Sequence, residues 1–168
     1  MTQWGAVVIC GSKWWFVEGK IVSLLFGQYE LTMDDKNRLL IPADVRRRLN
    51  PTDGQTEFFI KLGTNGVPWI YSSSRWAEIA SEDDIGMDPT IEQLNHLHFH
   101  FATTHQLEWD KQGRAVVPDL LLKMTKTGKD VMLVGSKDHL ELWNRAAWAE
   151  RTEALLAMYA SRGKTSQA

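Results

Sequence analysis

The stretch Asp34-Asp35-Lys36-Asn37-Arg38-Leu39-Leu40-Ile41-Pro42 returns as Asp110-Lys111-Gln112-Gly113-Arg114-Ala115-Val116-Val117-Pro118. Each copy reads Asp, three residues with a Lys among them, Arg, three apolar residues, Pro. Asn37 and Gly113 hold the same place in the two copies, and these residue types accept a left-handed backbone, as a type I turn with a bulge requires. Asp34 and Asp110 stand where a side-chain oxygen can cap the free N–H groups of the turn. A tight loop is therefore written twice, with a basic residue at its tip and an Arg at its exit.

The repetition extends outward from the loops. Tyr29-Glu30-Leu31-Thr32-Met33 matches His105-Gln106-Leu107-Glu108-Trp109, an offset of 76 residues, and Gly63 to Tyr71 matches Gly135 to Trp143, an offset of 72. Trp76-Ala77-Glu78 answers Trp148-Ala149-Glu150. The chain thus holds two related halves, the second shorter by four residues between its loop and its later block. Each half predicts a strand, the loop, a strand, a short helix, two more strands and a helix. In the first half these are 27–33, 38–41, 43–49, 58–62, 67–71 and 75–80; in the second they are 105–109, 114–117, 119–124, 130–134, 139–143 and 146–161. The first two strands of each half read as a hairpin around its loop, and Pro42 and Pro118 stand where a short helix begins, a position at which proline's missing N–H costs nothing. A further helix over 89–101 joins the halves. The fold class is α+β, and the domains expected are an extension over 1–25 that is disordered, a first module over 26–85, a connecting helix over 86–103, a second module with a C-terminal helix over 104–161, and a tail over 162–168.

Composition narrows the function. The 168 residues are 43% hydrophobic and include eight Trp, enough for a sizeable core. A single cysteine, Cys10, excludes an internal disulfide and suits a reducing compartment. No apolar run approaches a membrane span, and the first residues carry no clean hydrophobic stretch of the kind a signal peptide needs, so the cytoplasm is expected. The formal charge of −2 argues against a uniformly basic protein. The distribution is uneven, however: five Lys/Arg face three Asp between Asp34 and Leu49, and five face two between Asp110 and Lys129. The segment Trp76 to Glu92 carries acidic residues and no basic one. Positive charge gathers around the loops.

Phosphate contact needs Lys or Arg at the tips of rigid elements, and base reading in the major groove favours Arg, whose fork grips both guanine acceptors. Arg38 and Arg114 are the leading candidates for DNA contact, with Lys36 and Lys111 as phosphate partners, and Asn37 in the first loop is counted among the DNA-binding residues. Arg46 and Arg47 add charge after the first loop, which favours that copy as the reader. Asp34, Asp110 and Gly113 are assigned to the turn. A plainer reading has each Asp pair with the Arg four residues on and merely fix the turn.

His96, His98, His100 and His105 invite a metal hypothesis, since 96 and 100 share a helix face. No Cys lies nearby, no Glu completes a His-Glu-x-x-His pattern, and the interleaved Leu97, Phe99 and Phe101 point to packing, so no metal or other cofactor is expected. Neither a Gly-x-Ser-x-Gly elbow nor a phosphate loop occurs, so no enzyme is expected.

Tandem Asp-x-x-x-Arg hairpins followed by an apolar triplet and Pro, with Val131-Met132-Leu133-Val134-Gly135 and Glu141-Leu142-Trp143, resemble the bacterial MraZ proteins over roughly residues 26–160. The resemblance implies two AbrB-like swapped-hairpin modules related by a pseudo-twofold axis. It implies a ring-like homo-oligomer, associated with the nucleoid, that binds direct repeats in its own promoter and regulates the cell-division and cell-wall gene cluster. The first 25 residues lie outside the resemblance, and Asn37 stands where the family commonly has Gly. The alternative from a different class is an oligomeric interaction scaffold whose Asp-x-x-x-Arg hairpins are purely structural.

Overall fold

The computed structural model describes residues 24–165 apart from 53 and 83–85, with backbone alone for 162–165 and for four short strands within 8–22. Those strands, β1 (Val8–Ile9), β2 (Ser12–Lys13), β3 (Trp15–Val17) and β4 (Lys20–Val22), form two antiparallel ladders, β1 with β2 and β3 with β4. The expected disorder of 1–25 otherwise falls on residues outside those described, as does the end of the expected tail. Leu25 is already part of the core at 3% exposure, held by reciprocal backbone hydrogen bonds of 2.8 and 2.9 Å with Lys137.

From residue 28 the two halves run in parallel. The first comprises β5 (Gln28–Thr32), β6 (Arg38–Leu40), α1 (Ala43–Leu49), β7 (Glu57–Leu62), β8 (Pro68–Ser72) and α2 (Ser73–Glu82). Helix α3 (Ile91–Phe101) follows, started by a reciprocal capping box between Thr90 and Gln93. The second half comprises β9 (His105–Glu108), β10 (Arg114–Val116), α4 (Asp119–Thr125), β11 (Asp130–Gly135), β12 (Leu140–Asn144) and α5 (Arg145–Thr165). The elements thus match the sequence reading in kind and order, with ends shifted by a few residues. Helix α2 begins two residues early because Ser72 Oγ accepts from the Arg75 N–H at 3.2 Å, and Asn144 Oδ1 does the same for α5 through the N–H groups of Ala146 and Ala147.

Strand pairing departs from a local hairpin reading. β5 does not ladder with β6; it pairs with β11 of the other half, from Thr32↔Asp130 to Gln28↔Val134. Reciprocally, β9 pairs with β7 of the first half, from Glu57↔Glu108 to Ile60↔His105. The six-stranded antiparallel sheet has the order β5-β11-β12-β8-β7-β9, which reads the same from either edge once the halves are exchanged. At its centre Trp69 faces Glu141, positions equivalent in the two halves. The strands that leave the loops pair only with each other: β6 and β10 form a two-stranded ribbon with Leu39 facing Ala115, again equivalent positions. Both register centres are those that a twofold relation between the halves requires.

The physical reason is burial. β7 and β11 carry apolar side chains on both faces and expose only their first residues, as strands inside a sheet do. The strand that shields each from the edge comes from the opposite half. The inward side chains of the ribbon, Leu39 and Ala115, are 1% and 2% exposed and continue into Ile41, Val45 and Leu49 of the first half and Val117, Leu121 and Leu122 of the second. These join Phe58, Ile60, Ile70, Val131, Leu133, Leu140 and Leu142 in one core cluster drawn from both halves. At about 1.5–3 kcal/mol for each fully buried large side chain, this shared cluster is the main stabilising term.

Candidate nucleic-acid interface

Each loop is built by its own aspartate. Asp34 Oδ1 accepts from the backbone N–H groups of Lys36 and Arg38, both at 2.9 Å, and Oδ2 accepts from Arg38 Nε at 2.6 Å. Asp110 repeats this with Gln112 (2.9 Å), Arg114 (3.0 Å) and Arg114 Nε (3.1 Å). The Arg38 N–H, together with the guanidinium and the Lys36 N–H, holds the Asp34 carboxyl down to about 2, outweighing the opposing effect of desolvation. Asp110 is lowered in the same way, first by the Arg114 N–H. Both turns close with left-handed residues, Asn37 at φ 56° and Gly113 at φ 82°. The Asp–Arg pairing of the plainer reading is therefore present in both loops, with the Arg side chains still about one-third exposed, at 35% and 33%.

The ribbon joins the two loops. Being antiparallel, it sets each loop beside the strand exit of the other half: the Ile41 N–H donates to the Gly113 carbonyl and the Val117 N–H to the Asn37 carbonyl, each at 2.9 Å. Alternation along β6 and β10 turns Leu39 and Ala115 inward and leaves Arg38, Leu40, Arg114 and Val116 on the opposite face. Leu40 and Val116 are 54% and 55% exposed there. Sequence reading missed these two as surface groups, because a three-residue apolar run does not show which member turns outward. Their place two residues after Arg38 and Arg114, on the same face of a strand with period two, was the available signal.

The remaining predicted residues fall as follows. Lys36 and Lys111 are exposed at the two loop tips. Arg47 is exposed on α1. None of these three, nor Arg46, has a carboxylate partner among the described residues. Arg46 lies not against the first loop, which precedes it in sequence, but against the second: a Cβ added to Gly113 would meet its guanidinium at 2.7 Å. Arg48 serves the fold. It donates to the Phe26 carbonyl (3.0 Å) and to the Tyr29 hydroxyl (2.7 Å), pairs with Asp44, and lies 4.5 Å over the Phe26 ring.

The histidines do not converge. His96 and His100 stack on α3 with ring centroids 4.2 Å apart, and His100 Nδ1 contacts the buried Lys61 Nζ on β7. Among the described residues no three His, Cys, Asp or Glu side chains are grouped to hold a metal ion, and no helix is long and apolar enough to cross a membrane.

A bare ribbon of this kind, arginine at each end, lysines beyond them and apolar side chains between, has the width and chemistry to lie in a DNA major groove. Comparison with known proteins bears on the family. The chain matches the family described as "MraZ protein, putative antitoxin-like" twice, over residues 24–92 and 100–166. It is 31% identical over 132 residues to the transcriptional regulator MraZ of Pediococcus pentosaceus, covering 77% of this chain and 87% of that protein. The protein of the same name from Lactiplantibacillus plantarum is 32% identical over 128 residues, 76% of this chain and 86% of its own. That of Clostridium acetobutylicum is 27% identical over 149 residues, 86% and 98%. The double match follows the two halves seen in the fold, and the chain belongs to the MraZ family.

Proposed function

We propose that this protein is a sequence-specific DNA-binding transcriptional regulator whose reading head is the β6–β10 ribbon with its two loops. The observation that carries this reading is the outward face of the ribbon, where Arg38, Leu40, Val116 and Arg114 stand together over a buried Leu39–Ala115 pair. Arg38 and Arg114 address guanine edges, and Leu40 and Val116 meet thymine methyl groups. Lys36, Lys111, Arg46 and Arg47 contact phosphates. Asn37 and Gly113 shape the tips, while Asp34 and Asp110 hold the arginine stems, so that the guanidinium groups reach DNA with little further loss of side-chain freedom. The relatives' shared name, transcriptional regulator MraZ, supports the regulatory role.

The target proposed is a set of direct repeats in the protein's own promoter, within the gene cluster for cell division and cell-wall synthesis. One ribbon makes few phosphate contacts and binds weakly at physiological salt. Several ribbons on a ring-like homo-oligomer convert later contacts into intramolecular ones. Leu120 and Met124 on α4 and Leu156 on α5, at 53%, 49% and 66% exposure, supply apolar surface for such self-association. The two halves read as AbrB-like modules with exchanged hairpins, which the β5·β11 and β9·β7 pairings support. The site of action is the cytoplasm, at the nucleoid.

The test is a gel shift with DNA from upstream of the protein's own operon, wild type against Arg38→Ala. Retarded complexes for wild type that weaken for the variant support the reading. Equal retardation by both proteins would favour the scaffold, in which the Asp–Arg pairs only fix the turns.

A further inference from the structure

We propose that Arg46, although carried by the first half, acts at the second loop, where it forms with Lys111, beside the base-reading Arg114, a composite cationic site that holds one backbone phosphate of bound DNA. This rests on the DNA-binding reading above and assigns unequal roles to the two loops.

Exchange between the halves creates the site. In the antiparallel ribbon the exit of β6 lies beside the loop that enters β10, so helix α1 starts against Gly113 and not against its own Asn37. The Arg46 guanidinium lies across Gly113: a Cβ there would stand 2.7 Å from both Cζ and Nε and 2.9 Å from Nη2. A side chain at 113 would push the guanidinium off this place, and Gly113 also supplies the left-handed backbone angle; it is buried although its loop is a tip. The height of the guanidinium is set by the loop itself. Arg46 Nε donates to the Ile41 carbonyl at 3.0 Å, and the Ile41 N–H donates to the Gly113 carbonyl at 2.9 Å. With Nε engaged, the terminal amino groups are the part of the fork left for a phosphate.

The first loop lacks this arrangement. Leu122 occupies the position in α4 that Arg46 occupies in α1, and there the turn residue is Asn37, which carries a Cβ. Among the described residues, the only cation that the second half brings to the first loop through an ion pair is Lys129, which pairs with Asp35. The first loop therefore carries Asp34 and Asp35 against Lys36 and Arg38, with Lys129 offset by Asp35. The second carries Asp110 alone against Lys111, Arg114 and Arg46. Arg46 also has no carboxylate partner among the described residues, unlike Arg38, Arg48 and Arg114. Three cations and one aspartate around Gly113 form an anion site, and on a ribbon face lined by Arg and apolar groups the anion is a DNA phosphate.

Arg46→Leu tests this directly, since leucine is the residue that the second half places at the same point. Binding of the full chain to the upstream DNA is followed by fluorescence anisotropy from about 50 to 200 mM salt, with thermal melting as the control for folding. The expected result is a salt slope shallower by roughly 0.9 for each ribbon engaged, the loss of one phosphate contact in each, and affinity weaker by about tenfold or more. Arg114→Ala should cost less in the Arg46→Leu background than alone, whereas Arg38→Ala should cost the same in both. If Arg46→Leu does not fold, Arg46→Gln keeps the reach to Ile41 without the charge, and the same slope is expected to fall. A wild-type slope for the folded variant, while Arg38→Ala and Arg114→Ala weaken binding, overturns the composite site and leaves the DNA-binding reading standing. If the wild-type protein fails to bind the DNA, both are overturned.

Discussion

Leu39→Ala is expected to destabilise both halves of the molecule together. Leu39 is 1% exposed and faces Ala115 across the ribbon centre, within a core cluster drawn from both halves. Removing three carbons forfeits about 2–2.5 kcal/mol of transfer free energy. Because the opposite residue is already alanine, little can move in to fill the space, and a cavity term brings the expected loss to about 3–4 kcal/mol. For a chain of this size that corresponds to a melting point lower by roughly 6–15 °C. Urea and thermal unfolding are followed by far-UV circular dichroism and by tryptophan fluorescence, which reports on Trp69 and Trp76 in the first half and on Trp109, Trp143 and Trp148 in the second, beside Trp4, Trp14 and Trp15 ahead of both. Since β5 and β9 each sit in the other half's sheet, a single transition with an unchanged m-value is expected from every probe. Val116→Ala on the outer face, 55% exposed, should stay within about 0.5 kcal/mol of wild type. Two separate transitions, or a loss below about 1 kcal/mol for Leu39→Ala, would refute the shared core.

Gly63→Ala should cost about 1–3 kcal/mol in urea titration, because the added Cβ would meet the Trp69 indole at 2.3–2.5 Å while Asn65 Oδ1 holds its Nε1 at 2.9 Å; unchanged stability would show that the indole moves freely. Asp34, whose folded pKa of about 2 lies below its unfolded value of about 4, stabilises the fold fully above that unfolded value and loses this contribution as pH falls toward 2. Acid unfolding of Asp34→Asn should therefore be flatter across that window, and a titration parallel to wild type would remove the loop hydrogen bonds as its cause. Arg48→Ala breaks the contacts to Phe26, Tyr29 and Asp44 and should lower stability by about 1–3 kcal/mol while leaving the salt slope of DNA binding unchanged; a reduced slope would place Arg48 at the DNA. Affinity should rise by roughly 10²–10⁴ between one and three promoter repeats, and no dependence on repeat number would exclude binding by several ribbons at once.

The loops were legible in the sequence because their chemistry is local. Asp34 and Asp110 reach N–H groups two and four residues on, and Asn37 and Gly113 supply the left-handed turn, all within one short window. Strand partners were less so. Period-two alternation states which face a strand buries but not which strand lies beside it, so from residue pattern alone β5 and β6 read as a plain hairpin, whereas their ladders run to β11 and β10. The placement of Arg46 followed from that exchange: next to the first loop in sequence, it lies on Gly113 of the second. Lys61 is a similar case. A lysine within Glu57–Leu62 reads as an outward position, yet it is 2% exposed, its ammonium against His100 and within about 6 Å of the Trp69, Trp76 and Phe99 rings. β8, α2 and α3 together create that environment, and no pattern within the strand encodes it.

The most direct measurement is the salt dependence of binding to the upstream repeats for wild type and for the Arg38→Ala/Arg114→Ala double variant. Both proteins should melt at similar temperatures, since the two side chains are partly exposed and pair only within their own loops. Wild type is expected to bind with a steep negative slope of log K on log salt, and the double variant to bind the repeats far more weakly and with little preference for them over unrelated DNA. A double variant that binds with the wild-type affinity and slope would contradict the assignment of the ribbon as the DNA-reading element.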